Sequence, residues 1–205
     1  MKHIIFDFDG TLADSLPLFI ELGQELVGIT ISPEDIERYR NMPSRDILKE
    51  VKVPIYRFPA LLVKGKAQMM KRMNEVKAFP GLNDIVERLG ADPQNKLYVV
   101  SSNSAGIINS FLATNDLSDN FASIYGNVGL FSKAQAIKKV MKREGFKAAD
   151  SIYIGDEVRD IEAAQKVGIP IISVTWGFNG RQLLEKYHPN HLVDKPKQIT
   201  DILNG

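Results

Sequence analysis

The chain has 205 residues, and its 26 Lys and Arg against 25 Asp and Glu leave a formal net charge of +1. A 44% hydrophobic and 25% charged composition is that of a globular protein with one sizeable core, or a core and a small second lobe. The charge balance argues against a general nucleic-acid coat, and the absence of Cys excludes disulfides, thiolate zinc sites, iron–sulfur clusters and a Cys nucleophile. With only His3, His188 and His191, a His-rich metal site is not expected either. No apolar stretch approaches the roughly 18–20 residues that span a bilayer. The opening MKHIIFDFD is too short in its apolar part, and too acidic, for a signal peptide. The mature protein is therefore expected to begin here, as a soluble cytoplasmic protein without membrane or nucleic-acid partners.

In chain order, residues 3–6 read as the first buried strand, short and apolar without simple alternation. Helical patterns follow over Leu16–Val27, Pro33–Arg40, 44–51 and 56–76. The turn signal Pro80-Gly81 precedes a helix over 82–89. Strands are expected at 96–100, 122–125, 151–154 and 169–175, with a short sixth at His191–Val193. Ser132 opens a helix with Ala136, Ile137, Val140 and Met141 at helical spacing, and Ile161, Ala164 and Val167 mark another over 157–167, stopped by Gly168. Apolar strands separated by helices imply a parallel sheet covered on both faces. Roughly ninety residues separate the first strand from Lys96, too many for one crossover. The expected architecture is thus an α/β, Rossmann-like core made of residues 1–14 and 82–205, interrupted by a helical lobe at 15–81.

Ligands in open α/β sheets sit beyond the carboxyl ends of the strands. There the sequence places Asp7-Phe8-Asp9-Gly10-Thr11, Ser101-Ser102-Asn103, Lys133 at a helix start, and Gly155-Asp156 with Asp160 one turn later. Carboxylates at 7, 9, 156 and 160 converging on one crevice call for a cation, and all-oxygen ligation selects a hard ion such as Mg²⁺. Lys133, hydroxyls and backbone N–H groups could then hold a phosphate, which is what phosphoryl transfer to a carboxylate nucleophile needs.

The run Asp7-Phe-Asp-Gly-Thr-Leu-Ala-Asp-Ser15, together with Ser101, Lys133 and Gly155-Asp-Glu-Val-Arg-Asp160, resembles the four ordered motifs of the haloacid dehalogenase superfamily. The likeness covers the whole chain, with the insertion where that family carries a helical cap of the C1 type, and it is closest in look to the phosphoglycolate-phosphatase-like branch. The tail, Val174-Thr-Trp-Gly-Phe-Asn-Gly-Arg-Gln-Leu-Leu184 and His191-Leu-Val-Asp194, is similar to that branch too. The resemblance implies Asp7 as nucleophile, Asp9 as general acid and then base, and Mg²⁺ bound by Asp7, the carbonyl of Asp9, and Asp156. It also implies Ser101, with Ser102 as the fallback, on the transferring phosphoryl group, Lys133 neutralising charge, and Asp160 supporting Lys133 or the metal's water. An acid at position 9 favours phosphate chemistry over dehalogenation. Ser132-Lys133-Ala134 departs from a common Lys-Pro pattern, and the nearby Lys138 and Lys139 fall later in the helix.

The implied activity is a Mg²⁺-dependent phosphatase acting on a small phosphorylated substrate. The rivals are a phosphosugar mutase using the same nucleophile and acid/base pair, and a binding or regulatory protein without turnover. Arg45 sits where family caps place a substrate-selecting loop. The stretch 51–74 holds Lys52, Arg57, Lys64, Lys66, Lys71 and Arg72 and no acid, and reads as either a solvated face or an electropositive lid. Asp14 or Ser15 is expected to cap the helix that begins the insertion. Trp176 and Phe178 either border the site or pack the core against the insertion, and the His188/His191 pair reads as a turn. Substrate identity and oligomeric state are left open.

Overall fold

Short aliphatic runs become the strands of one six-stranded sheet, β1 (Lys2–Phe6), β2 (Asn95–Val100), β3 (Phe121–Tyr125), β4 (Ser151–Gly155), β5 (Ile171–Val174) and β6 (His191–Val193). All pairings are parallel and the order is β3-β2-β1-β4-β5-β6. The structure is a computed structural model that describes residues 1–51, 55–129 and 132–204. Within these, the side chains of Ser44, Arg45, Leu48, Ile55, Phe58, Leu62 and Lys66 lie outside the described set.

Helices α1 (Leu16–Val27), α2 (Pro33–Arg40), α3 (Ser44–Glu50) and α4 (Phe58–Arg72) all lie between β1 and α5 (Leu82–Ala91). They are followed by α6 (Ala105–Thr114), α7 (Lys133–Glu144), α8 (Val158–Val167), α9 (Arg181–Glu185) and α10 (Lys197–Asn204). The period-2 geometry of a strand sends alternate side chains to opposite faces. Ile4, Phe6, Leu97, Val99, Ile154 and Ile172 pack with Leu82, Val86, Ile108, Leu112 and Ile199. Ile5, Tyr98, Val100, Tyr153 and Ile171 pack with Ile137, Val140, Ile161, Ala164 and Leu184. Both faces are therefore covered, which is why the strands read as unbroken apolar runs.

Two elements depart most from their sequence patterns. The fifth strand begins at Ile171 because Ile169 N–H still bonds the Ala164 carbonyl at the end of α8 and Pro170 has no N–H to give the ladder. The pattern over 56–76 resolves into α4 with a 3₁₀ turn at each end, Ile55–Arg57 and Met73–Glu75. Pro59 fits only the first turn of an α-helix, so the regular helix starts beside it.

The sheet order reverses direction at β1. The chain leaves β1 and builds outward through β2 and β3, then returns to the other side of β1 for β4, β5 and β6. The carboxyl ends of β1, β2 and β4 adjoin at this switch point, where open α/β sheets form a crevice. Asp7, Ser101 and Asp156 are the residues immediately after or at those ends.

Candidate active site

The loop after β1 is built by its own backbone. The Phe8 carbonyl accepts from the N–H groups of Thr11, Leu12 and Ala13, and Gly10 N–H returns to the Ala13 carbonyl. Gly10 has φ +73, and a Cβ there would lie 2.1 Å from Asp156 Oδ2, so only glycine lets β1's loop approach β4's end so closely. Asp7 is held at both oxygens: Oδ1 accepts from Phe8 N–H at 2.8 Å and Oδ2 from Lys133 Nζ at 2.6 Å.

Lys133 stands in the first turn of α7, across the crevice. Its Nζ also donates to Asp160 Oδ1, and it lies 5.7 Å from the Tyr153 ring centroid. Lys133, Asp7 and Asp160 are all buried. Asp160 sits one turn into α8, where its other oxygen accepts from Glu157 N–H at 3.0 Å and so caps the helix start. Asp156 is fully buried; Thr11 Oγ1 donates to its Oδ1 at 2.7 Å and Phe178 N–H to its Oδ2 at 2.7 Å.

Burial and neighbouring negative charge set the electrostatics. Desolvation raises the Asp7 carboxyl above its usual range against the pull of Lys133. The same burial, with Glu157, Asp160 and Asp7 nearby, pushes Asp156 well up. In Lys133, burial works against the charge, but Asp160 and Asp7 together outweigh it and the ammonium is held more firmly than usual. Desolvation, reinforced by the charge of Asp7, pushes Asp9 up to about 6, although hydrogen bonds from Ser15 and Asn103 oppose it. Carboxylate oxygens of Asp7, Asp156 and Asp160 lie within 4.8 Å of one another, all buried. The two cations there, Lys133 and Arg159, are outnumbered by Asp7, Asp156, Glu157 and Asp160, and the donors are hard oxygens. The residues present thus fit an oxygen-ligated divalent cation.

The structure brings together Asp7, Asp9, Ser101, Lys133, Asp156 and Asp160. Ser101 is buried, with its Oγ accepting from Asn103 N–H at 3.1 Å, whereas Ser102 is half-buried beside it. Asp14 and Ser15 do not provide the side-chain cap expected of them. Ser15 occupies the N-cap position of α1, but its hydroxyl donates to Asp9 Oδ1 at 3.0 Å instead. Asn103 Nδ2 donates to Asp9 Oδ2 at 3.1 Å from the opposite side. Neither partner of Asp9 was evident from the sequence, since a Ser before Pro-containing helix and an Asn in a Ser-rich turn carry ordinary capping readings.

Trp176 and Phe178 do both things expected of them. Trp176 Nε1 donates to the Thr11 carbonyl at 3.3 Å, and the Phe178 ring meets Phe19 of α1 edge-on at 5.3 Å. His188 stands in a turn with φ 51. Arg45 lies in α3, but its side chain is outside the described residues, as are Lys52 and the side chain of Lys66. Arg72 is not part of a free basic row: it pairs with Glu21 of α1 at 3.0 Å through both Nη atoms, and with Glu75. Lys64 and Arg57 are exposed around a surface depression of about 320 Å³ lined by Leu26, Tyr56, Ala60 and Leu61, none of them site residues.

The site is thus an acid cluster and a buried Lys at the switch point of a doubly covered parallel sheet. Residues 4–174 match the haloacid dehalogenase-like hydrolase family, and the chain belongs to it. It is a phosphatase of that superfamily, a phosphoric monoester hydrolase. The chain is 34% identical to a phosphoglycolate phosphatase of Synechococcus elongatus over 97% of its own length and 95% of that protein's. It is 24% identical to the pyrophosphatase PpaX of Oceanobacillus iheyensis, over 99% and 97% of the two chains. In fold it is similar to a predicted phosphatase from Clostridium acetobutylicum, with TM-score 0.83 and 22% identity over 100% and 99% of the two chains. Among the described residues no helix is long and apolar enough to cross a membrane.

Proposed function

We propose that this chain hydrolyses a small phosphomonoester through an aspartyl-phosphate on Asp7, with Mg²⁺ held by Asp7, the Asp9 carbonyl and Asp156. The observation that carries the reading is the meeting of Asp7, Lys133, Asp160 and Asp156 at the ends of β1 and β4. A carboxylate oxygen of Asp7 attacks phosphorus and the bond to the ester oxygen breaks. Asp9, pushed up to about 6, delivers its proton to that departing oxygen. As a carboxylate, Asp9 then takes a proton from water, whose oxygen attacks phosphorus and frees Asp7 as the phosphorus–Asp7 bond breaks. Ser101, with Ser102 in reserve, and Lys133 take the equatorial phosphoryl oxygens, while Asp160 keeps Lys133 turned toward Asp7. Mg²⁺ bound there supplies further neutralisation of the phosphoryl charge.

In this reading residues 1–14 and 82–205 are the catalytic core and 15–81 a cap that covers the substrate, with Arg45 as the candidate to read its non-reacting end. The name of the Synechococcus elongatus relative supports phosphoglycolate as the first substrate to try. Hydrolysis of a diffusible small metabolite goes with a cytoplasmic site of action.

The test is a panel of sugar phosphates, phosphoglycolate and nucleotides with Mg²⁺, read for both released phosphate and isomerised sugar phosphate. Phosphate release abolished by Asp7→Asn, with folding intact, is the expected result. Isomerisation without release would assign the mutase reading instead. Turnover by neither route would make the chain a binding protein, and near-parental hydrolysis by Asp7→Asn would sink the covalent mechanism.

A further inference from the structure

The loop 175–180 after β5 is gripped on both sides. On one side it holds the end of β4: Phe178 N–H donates to Asp156 Oδ2 at 2.7 Å, Asn179 N–H to the Asp156 carbonyl at 3.3 Å, and Asn179 Oδ1 accepts from Val158 N–H at 2.9 Å. On the other side it is held by Arg40, the last residue of α2. The Arg40 guanidinium donates to the Thr175 carbonyl through Nη2 at 2.6 Å and to the Gly177 carbonyl through Nε at 3.1 Å. The Arg40 carbonyl in turn accepts from Gly180 N–H at 2.8 Å. Three bonds from one residue thus span the loop.

The packing leaves this loop no slack. A Cβ on Gly177 would lie 2.2 Å from Asp156 Oδ2 and 2.3 Å from the Gly10 carbonyl. A Cβ on Gly180 would lie 2.6 Å from Asn41 Oδ1, on the residue after α2. Packed interfaces of this kind hold discrete arrangements rather than deforming smoothly.

Asp156 has two carboxylate oxygens and one donor on each, Thr11 from the β1 loop and Phe178 from this loop. Those donors fix which way its remaining lone pairs face. We propose that Arg40 is a positioning residue that couples the seating of α2 to cation binding at Asp156, through the loop 175–180. With α2 seated, Phe178 N–H is held on Oδ2 and the carboxylate faces Asp7. With α2 withdrawn, the loop loses all three of its bonds to Arg40 and Asp156 loses a fixed donor. Coupling is reciprocal, so a bound cation also favours the seated helix. The inference rests on the proposed assignment of Asp156 as a metal ligand.

The test is direct Mn²⁺ binding to the full chain, read from the free-ion paramagnetic resonance signal, with Mg²⁺ competition. Hydrogen exchange of α2 is followed with and without Mg²⁺. Arg40→Gln is expected to weaken Mn²⁺ binding about tenfold, within the range of typical inter-site couplings. Arg40→Lys, which keeps one charged donor, should recover part of it. Gly180→Ala, which wedges the loop from Asn41 with Arg40 intact, should weaken binding likewise. Mg²⁺ should slow exchange in α2 of the parent and not of Arg40→Gln. Glu37→Gln, which removes the exposed charge facing Arg40 and keeps an amide oxygen that can still accept from Asn41 Nδ2, should bind like the parent. Parental Mn²⁺ affinity in folded Arg40→Gln and Gly180→Ala overturns the coupling. Asp156→Asn separates the two readings: if it loses Mn²⁺ while the Arg40 variant does not, the coupling alone fails, and if it also binds normally, the metal assignment fails with it.

Discussion

Replacing Lys133 by Met keeps the length of the side chain and deletes its charge. What that costs depends on whether the ion pairs behave as surface or buried ones. Exposed pairs contribute about 0–1 kcal/mol. Lys133 is 4% exposed, and its partners Asp7 and Asp160 are 2% and 0% exposed. Removing one member of a buried pair strands the others in low dielectric and costs about 3–5 kcal/mol. For a chain of this size each kcal/mol lowers Tm by about 2–4 °C, so the loss should be roughly 6–20 °C. Two further outcomes separate charge from packing. Mg²⁺ should restore part of the stability, since it supplies positive charge to the same cluster. Asp160→Asn in the Lys133→Met background should recover part as well, because one stranded carboxylate is gone. Urea unfolding followed by the fluorescence of Trp176, the one Trp in the chain, measures all of this with and without chelator. Phosphate release should fall about 10²–10³-fold in Lys133→Met, the usual cost of one preorganised charge donor. A Lys133→Met protein within about 1 kcal/mol of the parent in chelator would show that the cluster is hydrated like a surface, and the electrostatic account would be refuted.

Chelation should abolish phosphate release and Mg²⁺ should restore it, while Ca²⁺ restores little, because its longer bonds and higher coordination number disturb the in-line geometry; full activity in chelator after dialysis would contradict this. His3 is buried, stacked on Phe146 at 4.1 Å, and its Nδ1 lies 3.1 Å from Tyr98 Oη. Burial first, then Lys96, lowers its pKa below 6.5, so the neutral ring is favoured in the fold. Its contribution to stability is complete above pH 6.5 and lost as pH falls through the folded value, because the unfolded chain then binds more protons. Tm of His3→Gln should accordingly show a weaker fall from pH 7 to 5 than the parent, and identical slopes would disprove it. Arg45→Ala should lower kcat/KM for the preferred phosphomonoester more than for a small aryl phosphate, whereas Lys64→Gln with Lys71→Gln should change neither if those exposed lysines are a solvated face. Arg72→Ala should loosen α4 from α1, seen as faster hydrogen exchange in both helices, because its partner Glu21 belongs to α1.

The sheet and the acid cluster were legible in the chain itself, for a physical reason. Strands covered on both faces must be continuous apolar runs, and in an open α/β sheet the polar residues of a site stand at the carboxyl ends of the strands. Hence Asp7, Ser101, Lys133, Asp156 and Asp160 could be named from their places beside the runs, and the roughly ninety residues before Lys96 announced the inserted helices α1–α4. What the sequence could not supply were partners chosen by proximity across distant segments. Ser15 has the sequence context of a helix cap, and only the folding of the 7–15 loop back on itself turns its hydroxyl to Asp9. Asn103 looks like a turn residue until β2 is laid beside β1 and its amide reaches the same carboxylate. Arg40 reads as a basic residue in the last turn of a helix, where the dipole welcomes it. That it holds backbone carbonyls of a loop more than 130 residues away was decided by tertiary structure alone, because a carbonyl carries no side-chain identity for a sequence to display.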